Sequence, residues 1–183
     1  HPFLKGLDLV QEHFWNMFVV DALIGNADRN NSNWGVIIRG NGKKELAPVY
    51  DNGNCLNSKW DDEKMLEVLS DDKRLESESF SARRCIFELE GKRMNPYHLI
   101  ERMEYEGCNH AVRKITPKVA AALPEIEKMI LRIPVLTEIQ KKFYLAVMEE
   151  RYEKVLKPTC QKIIGLEMEA ERQTESGKER RCR

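Results

Sequence analysis

The sequence predicts a mainly α-helical fold that carries one β-hairpin. Three observations lead there. Apolar residues recur at three- and four-residue steps through 7–24 and again through most of the chain after residue 95. Between these regions, 34–50 holds two short β-rich runs on either side of strong turn chemistry. Prolines at 96, 117, 124, 134 and 158 then divide the second half into segments of helical length.

Taken in order, 7–24 forms a helix whose apolar residues spread around much of its circumference near the end, the pattern of a buried helix. Gly25 and Asn26 supply a left-handed exit from it. The polar run 28–33 has neither helical nor strand periodicity. Trp34-Gly35-Val36-Ile37-Ile38 and 45–50 read as the two strands of the hairpin, with Gly40-Asn41-Gly42 at its tip and Pro48 marking an edge. Residues 51–54 are another turn, and 57–81 is charged and irregular, with a short helix around 64–69. Asn95 before Pro96 is an N-cap followed by proline at the first helical position, and it opens a helix over 97–105. Pro117, Pro124 and Pro134 punctuate further helices through Ile133. Residues 137–156 form a long amphipathic helix that Pro158 breaks or kinks. The domain reading is a lobe over 1–168, with a loop at 25–33, the hairpin at 34–50, a turn at Asp51 and a helical bundle over 83–168. The charged residues 169–183 read as a disordered tail.

Composition narrows the function classes. With 30 basic and 30 acidic residues among 183, the chain lacks the charge excess of a dedicated nucleic-acid binder. Its apolar runs are too short to span a bilayer, and the one at 17–24 contains Asp21. The five cysteines are widely spaced with no zinc-ribbon pairing, which reads as reduced thiols in a cytoplasmic protein. The chain begins His1-Pro2-Phe3, which reads as a segment of something longer.

The chemistry lies around the hairpin. Asn33 sits just before its first strand and Asp51 just after its second, and paired strands run roughly 5 Å apart. The spacing therefore brings an amide and a carboxylate together, a donor pair suited to Mg²⁺, which takes few protein ligands and fills its octahedron with water and phosphate oxygens. Asp28, on the same loop as Asn33, reaches the same space. One carboxylate to orient an attacking hydroxyl, with an amide and a second carboxylate to hold metal, is what phosphoryl transfer requires.

Leu23-Ile24-Gly25-Asn26-Ala27-Asp28-Arg29, then Asn33, then Leu46-Ala47-Pro48-Val49-Tyr50-Asp51, resembles the catalytic core of the HipA-like kinases. The likeness is greatest to the short Firmicutes and cell-translocating-kinase branch, and it is specific over 14–56. The loop is also similar to that of phosphatidylinositol kinases. The resemblance implies the helical C-terminal lobe of a protein-kinase-like fold, with the N-terminal lobe absent from the chain. It implies a Ser/Thr protein kinase using ATP and Mg²⁺, inactive as an isolated lobe. In that reading Asp28 is catalytic, and Asn33 and Asp51 bind the metal and, through it, the nucleotide. The sequence departs from the family pattern at Asn30, where the family has His, and at Ser32, where many members have Lys. Those departures motivate a second reading as a pseudokinase or partner-binding module, and a lipid kinase is the alternative enzyme.

Each assignment competes with a blander one. Asn and Asp shape turns, so 28–33 taken alone reads as a loop; the layout across the hairpin is what favours a site. Asn26 reads as a structural helix exit, Asp21 as a hydrogen-bonding core carboxylate, 61–63 as a solvated acidic face, and Trp34 and Trp60 as packing residues.

Overall fold

The structure, a computed structural model, describes residues 8–26, 28–30, 32–81, 88–89 and 92–181. Its elements in chain order are α1 (Asp8–Ile24), β1 (Val36–Ile38), β2 (Lys44–Leu46), α2 (Asp62–Leu69), α3 (Asp72–Ser79), β3 (Glu88–Leu89), β4 (Lys92–Arg93), α4 (Pro96–Arg102), α5 (Glu106–Arg132), α6 (Glu138–Arg151), a π-helical turn (Tyr152–Leu156) and α7 (Lys157–Arg181). The mainly helical architecture with an antiparallel hairpin is as the sequence predicts. In that hairpin Val36 faces Leu46 and Ile38 faces Lys44. Residues β3 and β4 add a two-residue ladder that no period-two pattern announces.

The core is formed where α1, α5, α6 and the π-helical turn meet. Phe18, Val19, Ile100, Val112, Phe143, Val147 and Leu156 are all essentially inaccessible there, and such burial is the main favourable term in folding. Trp60 packs on Phe143 with ring centroids 5.6 Å apart, while Trp34 lies 5.8 Å from Phe14 and fastens the hairpin to α1. Both tryptophans are packing residues, as expected. On the same stretch of α1, Trp15 approaches α5 so closely that a Cβ at Gly107 would sit 2.4 Å from the indole Nε1. Only glycine leaves room for that contact.

Several expectations are corrected. Within 57–81 the expected helix around 64–69 is α2, but the rest is not irregular: a second helix, α3, follows, and an aspartate starts each. Asp61 accepts from Lys64 N and Asp71 from Lys73 N and Arg74 N, so the acidic face at 61–63 opens on an N-cap. The bundle therefore begins before residue 83, and 83 itself lies outside the described residues. Pro117 and Pro124 do not break α5, which runs 27 residues through both. Each proline removes a helical hydrogen bond, and burial of Cys108, Ala111, Val112, Thr116, Val119 and Ile130 along one face holds the helix together. Pro158 does not interrupt the last helix either. The chain widens into a π-helical turn just before it, with Lys157 N donating to Tyr152 O, which displaces the carbonyls a proline ring would strike. The stretch 169–181, expected to be disordered, continues α7 as helix; it is rich in Glu, Arg, Gln and Lys, all good helix formers, and has no proline. Residues 1–7, including the expected helix start at Leu7, and 182–183 lie outside the described residues.

Candidate active site

The site starts at the C-terminus of α1. A helix ends with four carbonyls that have no partner within it. Here each has one from elsewhere: Asp21 O accepts from Asn26 N at 2.9 Å and Ile24 O from Leu56 N at 2.8 Å. Ala22 O accepts from the Tyr97 hydroxyl at 3.0 Å, and Leu23 O from Arg151 Nη1 at 3.1 Å. The Arg151 guanidinium also donates to Ser79 O at 3.0 Å and lies 6.0 Å from the Tyr97 ring centroid. Burial pulls its pKa down from the usual arginine range, but a guanidinium keeps its proton in proteins. A cation at a helix C-terminus is favoured by the helix dipole.

Gly25 follows in the left-handed region, at φ 62. A Cβ there would lie 2.7 Å from two nitrogens of the Arg151 guanidinium. Gly25→Ala is therefore expected to lower unfolding free energy by at least the ~1–2 kcal/mol that a left-handed backbone costs an L-residue, with more from displacing Arg151. Urea unfolding of the purified chain measures it, and a loss below about 0.5 kcal/mol would mean that the guanidinium moves aside freely.

Beyond Gly25, one guanidinium organises the loop. Arg29 is 4% exposed and makes five hydrogen bonds. Nε meets Asp21 Oδ2 at 2.8 Å and Nη2 meets Asp21 Oδ1 at 3.0 Å. Nη1 donates to Asn33 O at 2.9 Å and to Tyr50 O at 2.6 Å, and Nη2 also reaches Asn52 Oδ1. Hydrogen bonding to Asp21 holds the Arg29 pKa above its ordinary value against the opposing effect of burial. Asp21 accepts in addition from Asn26 Nδ2 at 3.0 Å. Asp21 and Asn26 are thus structural, as the sequence suggests, and so is Arg29, whose donors are turned inward.

This clamp sets the positions of the three candidate residues. Asn33 and Tyr50, which precedes Asp51, place their carbonyls on one nitrogen, and the Tyr50 hydroxyl donates to Ser32 O at 2.7 Å. The two ends of the hairpin therefore meet. Asp28 is fixed by its backbone: its N–H donates to Asn26 Oδ1 at 3.1 Å, and its carbonyl accepts from Asn33 Nδ2 at 2.6 Å and from Asn30 N at 2.9 Å. Its carboxylate remains exposed, with Asn30 Nδ2 at 3.5 Å as a long contact. Asn33 is buried; its Nδ2 is committed to Asp28, and its Oδ1 has the Ser32 hydroxyl at 3.3 Å. Asp51 is exposed, sits at φ 57, and its carboxylate accepts no hydrogen bond from the described residues.

Cys55, on the turn after Asp51, is pushed up to about 11 by burial, with the negative charge of Asp21 adding to it. At neutral pH it is a thiol, not a nucleophilic thiolate. Among the described residues no three His, Cys, Asp or Glu side chains converge as a metal cluster.

The serine/threonine-protein kinase CtkA of Helicobacter pylori is 31% identical to this chain over 158 residues, which are 85% of the chain and 48% of that protein. This chain is homologous to part of CtkA. The crystal structure of a Helicobacter pylori proinflammatory kinase CtkA agrees, with a TM-score of 0.80 at 30% identity, covering 87% of this chain and 54% of that one. The chain thus spans about half the length of the CtkA sequences it matches, and its fold is that of the corresponding part of the CtkA kinase. No protein-family model matches it. No helix among the described residues is long and apolar enough to cross a membrane.

Sequence reasoning missed the reach of Arg151. Its position, 128 residues beyond Leu23, gives no local signal. It also assigned Arg29 no structural role, although its ion-pair partner Asp21 lies only eight residues earlier.

Proposed function

We propose that this chain is the metal- and phosphate-handling lobe of a HipA-like Ser/Thr protein kinase. The observation that carries the reading is the treatment of Asp28: hydrogen bonds to Asn26, Asn30 and Asn33 fix its backbone while its carboxylate is left facing solvent, on the loop that Arg29 ties to the ends of the hairpin. A side chain that merely shaped the loop would turn its carboxylate into that hydrogen-bond network.

Asp28 accepts the proton of the substrate hydroxyl as that oxygen bonds to the γ-phosphorus of ATP, while the bond from that phosphorus to the β,γ-bridging oxygen breaks and ADP leaves. Asn33, through Oδ1, and Asp51, through its carboxylate, fit Mg²⁺: both offer hard oxygen donors, the first with only a 3.3 Å contact from the Ser32 hydroxyl and the second exposed. Bound there, Mg²⁺ would neutralise developing phosphate charge. Arg29 keeps the two ends of the hairpin in register, so that Asn33 and Asp51 act from fixed positions. In the same proposal the remaining nucleotide contacts come from polypeptide outside these 183 residues, in keeping with the half-length match to CtkA. The setting is cytoplasmic, and the phosphate acceptor is a protein hydroxyl.

Calorimetry with MgATP tests this. The full-length protein is expected to bind MgATP in a Mg²⁺-dependent way, and the 183-residue chain to bind weakly and transfer negligible phosphate, because the cations of a second lobe are missing. Absence of Mg²⁺-dependent nucleotide binding by the full-length protein would defeat the reading.

The pseudokinase reading is favoured by Asn30 and Ser32, neutral residues at two positions where the family has cationic or titratable ones. It requires nucleotide or partner binding without phosphate transfer. Autophosphorylation that disappears in Asp28→Asn would exclude it.

A further inference from the structure

The loop after α1 contains a closed circuit of hydrogen bonds. Asn30 Oδ1 accepts from Ser32 N at 2.8 Å, an Asx turn, and is met by the Ser32 hydroxyl as well. With the amide oxygen engaged twice, the orientation of the amide follows from its surroundings, and Nδ2 must point the other way. It points at Asp28, 3.4 Å from the carbonyl and 3.5 Å from Oδ1. Asn33 Nδ2 closes the circuit on Asp28 O at 2.6 Å. The Ser32 hydroxyl lies 3.3 Å from Asn33 Oδ1 but much nearer Asn30. Its single proton therefore goes to Asn30, which leaves the lone pairs of Asn33 Oδ1 available.

We propose that Asn30 and Ser32 are a coupled pair of positioning residues that aim the Asp28 carboxylate, Ser32 fixing the rotamer of Asn30 and Asn30 offering a neutral donor to Asp28 Oδ1. This rests on the reading of Asp28 as the group that receives the substrate proton. The donor engages one carboxylate oxygen and leaves Oδ2 for the hydroxyl. The 3.5 Å separation is that of a resting site, in which catalytic hydrogen bonds are commonly long and shorten once substrate is bound. Two positions that depart from the family pattern thus act together: a hydrogen-bonded amide and hydroxyl hold the carboxylate without a cation.

The test is steady-state kinetics on the full-length protein with Asn30→Ala, Asn30→Asp, Ser32→Ala, Ser32→Thr, Asn30→Ala/Ser32→Ala and, as the control for the underlying reading, Asp28→Asn. Asn30→Ala is expected to lower kcat by about tenfold, the size of one hydrogen bond, with KM for ATP unchanged. Asn30→Asp preserves shape and the bonds from Ser32 but turns an acceptor on Asp28, so kcat should fall at least as far. A residue needed only to fill or shape the loop would tolerate that isosteric change. Ser32→Ala should cost several-fold, because it unpins Asn30, and Ser32→Thr should restore the rate. In the double variant the loss should equal that of Asn30→Ala alone, since removing the pin has no effect once the group it pins is gone. Additive losses, or an Asn30→Asp enzyme as fast as wild type while Asp28→Asn is dead, would overturn the pairing and leave the Asp28 assignment standing. An active Asp28→Asn enzyme would remove the basis of both.

Discussion

Asp28→Asn in the full-length protein is expected to lower phosphoryl transfer by about 10²–10⁴-fold, the range for loss of a positioned general base, with the thermal midpoint unchanged. Asparagine has the same shape and cannot take the proton. The stability half of the prediction follows from how the residue is held. Its N–H and carbonyl carry the bonds to Asn26, Asn30 and Asn33, and these survive the substitution. The carboxylate contributes only the long contact to Asn30. Initial rates and a melting curve on one preparation decide the matter. Activity within a few-fold of wild type would place the base elsewhere, and a lowered midpoint with lowered activity would make Asp28 a structural residue.

Arg29→Ala is expected to cost about 3–5 kcal/mol of unfolding free energy, the usual result of removing one partner of a buried ion pair. Both side chains of the pair are buried, at 1% and 2% exposure. Truncation leaves the Asp21 carboxylate in the core with Asn26 as its remaining side-chain partner, and strips a donor from the carbonyls of Asn33 and Tyr50. Against the 5–15 kcal/mol typical of a domain, that loss is large. Combining it with Asp21→Asn should recover part of the stability, because the unpaired charge is gone, but should not restore the tie between the ends of the hairpin. Arg29→Lys should rescue poorly, since one ammonium cannot reproduce a planar fork directed at acceptors on four residues. Urea unfolding at neutral pH gives all the values; an Arg29→Ala loss under about 1 kcal/mol would mean that the pair is not buried in solution.

Local signals account for what the sequence reveals. The exit at Gly25, the hairpin around Gly40-Asn41-Gly42, the cap at Asn95 and the start of α6 at Thr137, whose hydroxyl accepts from Gln140 N at 3.1 Å, all depend on residues within a few positions of each other. The approach of the ends of the hairpin is legible from strand pairing, but the ladder ends at Val36 and Leu46, and Arg29 ties Asn33 to Tyr50 beyond it. What sequence reading could not supply is non-local or compensatory. Pro117 and Pro124 look like breaks because their cost is local, while the packing that offsets it comes from other helices. The helix at 72–79 was obscured by a composition dominated by charge and serine, although Asp71 provides its cap. Arg151 and Tyr97 leave no trace near the residues they serve.

That last point bears on the order of events during synthesis. The carbonyls of Ala22 and Leu23 receive their donors from residues 75 and 128 positions downstream. While the chain emerges from the ribosome, α1 and the loop that follows it therefore appear early but lack the partners that fix them until α6 has been made. Contacts so distant in sequence close late, after the loop-closure entropy has been met. The loop after α1 is in this sense late to acquire its native surroundings, although it is translated before the helices that supply them. A nascent chain stalled before Arg151 should show protease cleavage around 25–33, and one released beyond α6 should not.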